Sequence, residues 1–276
     1  MRIVFFSPNF LPLTGGLENV MRDWALGLGA LGHHVTIVTL TPSQLVDDFP
    51  FKVYRNPGVV KIWRLMRSAD VVMQFNVSLK SIIPWIASRR PMVVSHQSTN
   101  VDVRGRWTRF GFVKQFIANH LVRRNIACSA YVRSFTKNSV VIHNPYNSSL
   151  FRRIQTIERE FDLLFVGRLV SDKGCDLLIN ALSILKKEYQ IRPSLTVIGD
   201  GPERGALENL VRSEDVVQQV RFAGKLAGED LVQQINQHRI LVVPSTWEEP
   251  FGIVALEGLA CGCKVIIADS GGLPEA

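Results

Sequence analysis

The chain has 276 residues, of which 46% are hydrophobic and 20% charged, with a mean hydropathy of +0.12. That composition supports a buried core and excludes a disordered chain, and no apolar run reaches the roughly 18 residues a membrane-spanning helix needs. The net charge of +8 is unevenly placed: residues 1–157 hold 20 Lys/Arg and 6 Asp/Glu, residues 158–276 hold 12 and 18, so the two halves address different partners.

In chain order, RIVFF (2–6) predicts a first strand. The start carries one Arg and a short apolar stretch broken by Pro8 and Pro12, unlike a signal peptide. A Pro- and Gly-rich loop (8–16) and a helical pattern (17–31) follow. Further strands are predicted at 34–40, 70–75, 91–95, 125–129 and 139–143, with helical stretches between most of them. Near-continuous apolar strands separated by helices indicate a parallel sheet covered on both faces. RIQTIERE (153–160) is polar and reads as a linker. The pattern then restarts with FDLLFVG (161–167), a helix from Gly174 to about Lys187, and strands at 195–201, 220–224, 240–244 and 264–268. The expected architecture is α/β, with two Rossmann-like doubly wound parallel-sheet domains facing a cleft. The domains are expected at 1–157 and 158–276, and ligands belong at the carboxyl ends of the strands.

Cys128, Cys175, Cys261 and Cys263 form no CxxC pair and have no His pair at zinc spacing. They read as buried, reduced thiols of a cytoplasmic protein. Sequons occur at Asn76 and Asn147; without a secretory signal they read as coincidences.

Gly27, Gly29 and Gly32 spell GxGxxG, but they close a helix before a strand, whereas a dinucleotide fingerprint follows a strand and opens a helix. The second strand also ends in Thr41-Pro42-Ser43, without the acid that grips an NAD ribose. Gly15-Gly16 has the right order, after a strand and before a helix, where backbone amides approach an anion. An ordinary turn is the alternative.

The most informative stretch is STWEEPFGIVALEGLACGCKVIIADSGGLPEA (245–276). Pro250 suits the first turn of a helix, and from about Gly252 the chain runs in the helical pattern IVALEGLA, which places Glu249 at the helix mouth and Glu257 inside it. At 1.5 Å per residue the two acids lie about 9–12 Å apart along the axis, roughly the span from sugar to ribose in a nucleotide-sugar. The free amides of Phe251, Gly252 and Ile253 then offer the positive end of the helix dipole to a diphosphate. The ordinary alternative is a cap at Glu249 and a solvated helix residue at Glu257. GRLVSDKG (167–174) brings Arg168 and Lys173 to the same rim, where two cations would stabilise charge on a departing nucleotide. IGDGPERG (198–205) supplies Gly199 and Gly201 as a wall for the nucleotide. No D-x-D triplet occurs, so no metal and no cofactor is expected; the nucleotide-sugar is a substrate.

These segments resemble the family 4 retaining glycosyltransferases of the GT-B fold. The resemblance runs over nearly the whole chain, through 9–20, 32–39, 141–147, 165–182, 197–203, 220–224, 244–262 and 271–276. Its E-x7-E pair is Glu249 and Glu257. The resemblance implies that Arg168 and Lys173 hold the diphosphate, Glu249 contacts the donor sugar and Glu257 the ribose. It also implies that the Gly15-Gly16 loop approaches from the first domain and that His96 lies near sugar and acceptor. The family reaction retains the anomeric configuration, with the leaving phosphate accepting the acceptor's proton. Pro145 stands where the family often has Gly. Ala276 falls inside a block the family usually continues, so the second domain is expected to be incomplete.

The basic first half is expected to face a glycan or lipid-linked acceptor and an anionic inner membrane surface, with Lys61, Arg64 and Arg67 forming one helical stripe near Trp63. Segment 104–124 adds Arg104, Arg106, Trp107, Arg109, Phe110, Phe112, Lys114, Phe116, Arg123 and Arg124. A solvated basic helix with a buried apolar side is the competing expectation there. No nucleic-acid motif is present. A non-hydrolysing nucleotide-sugar epimerase and a non-catalytic nucleotide-sugar-binding module are the rival functions.

Overall fold

The computed structural model describes residues 1–13, 15–44, 46–100, 106 and 108–276. It divides into two compact units, Met1–Pro145 and Tyr146–Ala276.

The first unit is a seven-stranded, wholly parallel sheet. Its strands are β1 (Arg2–Ser7), β2 (His34–Thr39), β3 (Lys52–Arg55), β4 (Val71–Phe75), β5 (Met92–His96), β6 (Arg124–Ala127) and β7 (Ser139–Val141), in spatial order β3-β2-β1-β4-β5-β6-β7. Its helices are α1 (Gly16–Ala30), α2 (Val59–Ser68), α3 (Ile82–Ser88), α4 (Gly111–His120) and the single turn α5 (Ala130–Arg133). Burial of Val4, Phe5 and Phe6 in succession shows that both faces of β1 are covered. Phe6, Val38, Val72 and Val94 pack in one cluster with Ile62 and Met66 of α2 and Trp85 of α3. Strand β3 was not foreseen. It is a four-residue edge strand, KVYR, whose side chains are all exposed or half-buried, so it lacks the apolar run that marks its neighbours.

The second unit repeats the plan with five parallel strands. These are β8 (Phe161–Val166), β9 (Leu195–Ile198), β10 (Val220–Gly224), β11 (His238–Val243) and β12 (Lys264–Ile267), in order β10-β9-β8-β11-β12. Helices α6 (Cys175–Tyr189), α7 (Arg204–Ser213), α8 (Gly228–Gln237) and α9 (Ile253–Ala260) cover it. Strand alternation sorts the core into two layers. Phe165, Val197 and Val242 pack with Ile179 and Leu182 of α6 and Leu207 of α7 on one face. Leu164, Ile198, Leu241 and Val243 pack with Val232 and Ile235 of α8 and Ala255 of α9 on the other.

The division falls at Pro145/Tyr146, ahead of the joint expected at 157/158. Segment 153–160 is polar because it is wired to the second unit rather than because it is a free linker. Arg153 donates to the Asn236 backbone and side-chain oxygens (3.2 and 3.1 Å), the Ile154 amide donates to Asn236 Oδ1 (2.8 Å), and Arg159 donates to the carbonyls of His238 and Cys261. The four cysteines are buried and unpaired, as expected. Burial pushes the Cys175 thiol up to about 12 and the Cys261 thiol up to about 11, so neither is a thiolate nucleophile at neutral pH. Among the described residues, no helix is long and apolar enough to cross a membrane.

The Gly27-Gly29-Gly32 run behaves as a helix stop. Gly32 takes φ +81° just past α1, and its amide closes on the Gly29 carbonyl at 2.9 Å.

Candidate functional site

In the second sheet the chain order reverses between β8 and β11, and the loops leaving those two strands lie side by side there. A doubly wound sheet offers its ligand crevice at such a point. The β8 loop makes a tight turn at Ser171–Lys173 and passes through Gly174 at φ +68°. A Cβ placed on Gly174 would lie 2.0 Å from the Pro244 carbonyl oxygen, so only glycine lets the two loops touch. The contact is stitched by the Thr246 amide donating to the Asp172 carbonyl at 3.0 Å.

That stitching brings Lys173 to Glu249. The Lys173 Nζ lies 2.5 Å from Glu249 Oε1, and Ser245 Oγ donates to the same oxygen at 2.8 Å. Both charged side chains are largely buried, 20% and 14% exposed. A third loop supports Glu249 from behind: its carbonyl accepts the Gly272 amide at 2.6 Å, and Gly271 runs so close that a Cβ there would meet the Glu249 carbonyl oxygen at 2.5 Å. Arg168 stands on the β8 loop, exposed, and makes no ion pair or side-chain hydrogen bond with another described residue.

Helix α9 begins at Ile253, three residues after Pro250. The helical pattern expected from about Gly252 is present, with Gly252 as the N-cap, while Pro250 lies in the loop ahead of the first turn. Gly252 takes φ +113°, a conformation no helical residue adopts, and the chain enters the helix only after it. Residues 249–252 are loop, so the helical rise behind the 9–12 Å estimate applies only to the second half of the Glu249–Glu257 interval. The N-cap Gly252 offers no side-chain cap, and in the first turn of α9 the Ala255 amide donates to the Gly252 carbonyl at 3.0 Å. Phe251 is buried as the anchor of this entry, while Gly252, Ile253 and Glu257 are half-buried.

Gly199 and Gly201 follow β9, the neighbour of β8. A Cβ on Gly199 would sit 1.8 Å from the Gly167 carbonyl oxygen, and one on Gly201 would sit 2.3 Å from that of Leu169. These glycines are thus required by loop-on-loop packing that holds the Arg168 segment, with the Leu169 amide donating to the Asp200 carbonyl at 3.0 Å.

The first unit holds the remaining predicted residues on its own sheet rim. Gly15 precedes α1 in extended conformation as its N-cap, without a side chain to cap it, and Gly16 starts the helix. The Glu18 carboxylate folds back over Gly15, where a Cβ would meet Oε2 at 2.5 Å. His96 ends β5 and is 2% exposed. Its Nε2 lies 2.9 Å from Asn125 Oδ1, and Asn125 Nδ2 donates to the Ala118 carbonyl at 2.7 Å. The Asn amide is thereby oriented with oxygen toward the ring, so Nε2 carries the proton and Nδ1 is the acceptor. Burial lowers the His96 pKa, with the Asn125 bond acting against it, and the ring is neutral at pH 7.

Beside His96 lies an amide relay that sequence reasoning missed. Asn144 Nδ2 donates to Gln97 Oε1 (2.7 Å), the Gln97 side-chain amide donates to Ser95 Oγ (2.9 Å), and the Gln97 backbone N–H donates to Asn76 Oδ1 (2.7 Å). Asn76 adopts φ +59°, the left-handed region that Asn tolerates. An Asn at the end of a strand was the only available signal.

On the surface of this unit, Lys61, Arg64 and Arg67 are all exposed on α2, with the Arg67 guanidinium 5.4 Å from the Trp63 ring centre. In the segment 104–124, Arg104 and Trp107 lie outside the described residues. The expected buried apolar side of that segment is corrected for its aromatics: Phe110, Phe112 and Phe116 are exposed. The inner face of α4 is made instead by Gly111, Gln115, Ile117 and Ala118.

Residues 147–276 match the family described as Glycosyl transferases group 1. Glycogen synthase of Mycobacterium tuberculosis is 30% identical over 277 aligned residues, covering 94% of this chain and 61% of the relative. D-inositol 3-phosphate glycosyltransferase of Jonesia denitrificans is 38% identical over 120 residues, covering 41% of this chain and 28% of the relative. The chain thus spans under two thirds of the length of these curated relatives. Among solved structures, Anabaena HepE in complex with UDP and glucose matches with a TM-score of 0.82 at 21% identity, covering 100% of this chain and 82% of that one. That likeness is one of fold, the GT-B plan of two Rossmann-like parallel-sheet units.

Proposed function

We propose that the chain, whose residues 147–276 match the glycosyl transferases group 1 family, moves a sugar from a nucleotide-diphosphate-sugar to a glycan or lipid-linked acceptor. The observation that carries this reading is the Lys173–Glu249 ion pair beside the uncapped start of α9, at the reversal point of the second sheet. The diphosphate sits on the α9 amides, with Lys173 and Arg168 supplying positive charge. Glu249, fixed by Ser245 and Lys173, accepts hydrogen bonds from the donor sugar, and Glu257, in the second turn of α9, takes the ribose. Gly199 and Gly201 keep the nucleotide wall in place. The related HepE structure, solved with UDP and glucose, supports a nucleotide-sugar as donor.

The transfer retains anomeric configuration. The acceptor hydroxyl attacks the anomeric carbon on the face the nucleotide leaves. The bond to the β-phosphate oxygen breaks, and that oxygen takes the hydroxyl proton. Charge growing on the phosphate is stabilised by the two cations and the helix amides, so the reaction needs no metal. The acceptor meets the basic first unit, at an anionic inner membrane surface reached from the cytoplasm.

A panel of UDP-, GDP- and ADP-sugars read by thermal shift tests the donor assignment, because a ligand of the folded state raises its apparent stability. One nucleotide class should stand out, and no response from any of them would overturn the reading. Donor consumption that depends on acceptor and survives EDTA separates a metal-independent transferase from a binding module. Product anomer analysis by NMR tests retention, and conversion of donor without acceptor would indicate an epimerase.

A further inference from the structure

Where four neighbouring strands of the first sheet begin, the chain sets a row of cations. Arg67 lies in the last turn of α2 ahead of β4, Arg89 and Arg90 precede β5, Arg123 and Arg124 lead into β6, and Lys137 precedes β7. Strands β4 to β7 are consecutive in the sheet, so at about 4.8 Å per strand the row is about 15 Å long. The register keeps it level: the Arg123 amide donates to the Met92 carbonyl at 2.9 Å, and Arg124 pairs with Val93. Arg90 Nε donates to the Arg67 carbonyl at 3.0 Å and ties the end of α2 to the turn before β5.

Among the described residues the charge of this rim is left unbalanced. Arg67, Arg89, Arg123, Arg124 and Lys137 are exposed and make no ion pair or side-chain hydrogen bond with another described residue. Asp70, at the start of β4, is taken by Arg2 at 3.6 Å. From 71 to 145 the sequence holds 11 Lys/Arg and one acid, Asp102. Arg89 also takes φ +57°, a left-handed conformation that Gly or Asn adopts at lower cost. Five like charges on one rim repel one another in the folded chain, and a polyanion relieves that repulsion.

Four of the five come singly from turns and strand starts, not from one helix that could enter a nucleic-acid groove. The ring beside them, Trp63, is already engaged by the Arg67 guanidinium at 5.4 Å rather than left for a base to stack on. A step of about 4.8 Å from strand to strand suits a linear chain with a charge on each sugar ring or on every second one. The rim stands at the opposite end of β5 from His96, roughly 17 Å away along five residues of strand.

We infer that this rim is a second glycan site, where Arg67, Arg89, Arg123, Arg124 and Lys137 hold the carboxylate, sulfate or phosphate groups of a linear anionic polysaccharide. This rests on the glycan-acceptor reading above and deepens it, because a chain held here raises the effective concentration of its own reacting end.

The test is fluorescence anisotropy of the 276-residue chain with labelled octasaccharides: oligogalacturonate and heparin as anionic probes, maltooctaose as the neutral control. Wild type is compared with Arg89→Asn/Arg123→Gln/Arg124→Gln, in which Asn tolerates the left-handed backbone. A second triple variant, Lys61→Gln/Lys80→Gln/Arg133→Gln, removes the same charge from exposed residues elsewhere on the unit. Arg67→Gln/Lys137→Gln, at the two ends of the row, repeats the measurement without touching β6. Both anionic probes should bind, more weakly as salt rises, and maltooctaose should not. The first triple variant should lose at least about tenfold in affinity and the second less than about threefold. Far-ultraviolet dichroism and the nucleotide-sugar thermal shift should be the same in all the proteins, so a failed rim and a failed donor site are told apart. The inference is overturned if neither anionic octasaccharide binds, if maltooctaose binds as well as they do, or if the two triple variants lose affinity equally. It is equally overturned if a single-stranded RNA or phosphatidylglycerol vesicles bind through the same residues more tightly than either octasaccharide.

Discussion

The ammonium of Lys173 and the carboxylate of Glu249 meet at 2.5 Å across 76 residues of sequence, each on the loop that leaves its own strand. A charge pair so far from local sequence contact exists only because β8 and β11 are neighbours and Gly174 lets their loops touch. Removing one partner leaves the other partly buried and unpaired. Lys173→Met and Glu249→Gln should each destabilise the second unit by about 1–3 kcal/mol. The double substitution should cost less than the sum, with a coupling energy of about 1 kcal/mol or more in a urea-denaturation cycle. Strict additivity would mean that the pair does not hold the loops together.

Arg168 separates binding from folding. It is exposed and makes no ion pair or side-chain hydrogen bond with a described residue, so Arg168→Ala should change stability by less than about 0.5 kcal/mol. Loss of a charge-assisted bond to the diphosphate should nevertheless weaken nucleotide diphosphate binding by roughly ten- to a hundredfold. Isothermal titration of the variant decides the matter, and unchanged affinity would remove Arg168 from the site.

Gly174 offers a test of the architecture itself. An alanine there meets both a left-handed φ and a backbone oxygen 2.0 Å from the new methyl. Neither problem is solved by rotating a side chain. Gly174→Ala should cost about 2 kcal/mol or more in unfolding free energy, beyond the usual strain of a left-handed residue. It should also weaken donor binding, because relief requires the Lys173 and Pro244 loops to separate. Alanine at Gly205, where a Cβ meets nothing within 4 Å, is the matched control and should be near neutral.

Most of this site could be read from the residues, and the failures have physical causes. Strand runs such as VFFS and LLFV announce a sheet buried on both faces, and the reversal point follows from their order. Glu249 and Lys173 could be placed on one rim, but their direct bond could not, because it depends on the glycine contact with Pro244. The start of α9 near Gly252 could be read from IVALEGLA, whereas Pro250, suited to a first turn, lies in the loop that Gly252 turns at positive φ. The 153–160 segment looked like a linker because its partners, Asn236, His238 and Cys261, lie some 80–100 residues away. In α4 the helical wheel gave no clean side. Gly111, Gln115 and Ala118 form the inner face, and small or polar residues do not advertise burial. The edge strand β3 carries too little apolar surface to be seen at all.

The last prediction concerns pH. His96 and His238 are both buried, and burial lowers the pKa of each below the ordinary histidine value. His238 Nδ1 lies 2.5 Å from the Gln234 carbonyl and so must carry the proton, while Nε2 is buried without a partner. Protonating Nε2 would therefore place a second N–H where nothing accepts it. The Gln234 bond and Asp162 act to raise the pKa, while Arg221 adds to the lowering. The unfolded chain takes up these two protons first as pH falls, near an ordinary histidine pKa of about 6.5. Stability should therefore be at its plateau above that value and decline as pH drops toward the lowered folded values. The slope approaches about 1.4 kcal/mol per pH unit for each site that the unfolded state protonates and the folded state does not. Asp23 works in the opposite sense, since burial raises its pKa, but from a carboxylate range below this window. Urea midpoints measured from pH 5.5 to 7.5 should rise with pH in the wild type. They should rise less in His238→Gln, which removes one titrating ring. A flat wild-type profile would show that these imidazoles are solvated and protonate as freely in the folded chain as in the unfolded one.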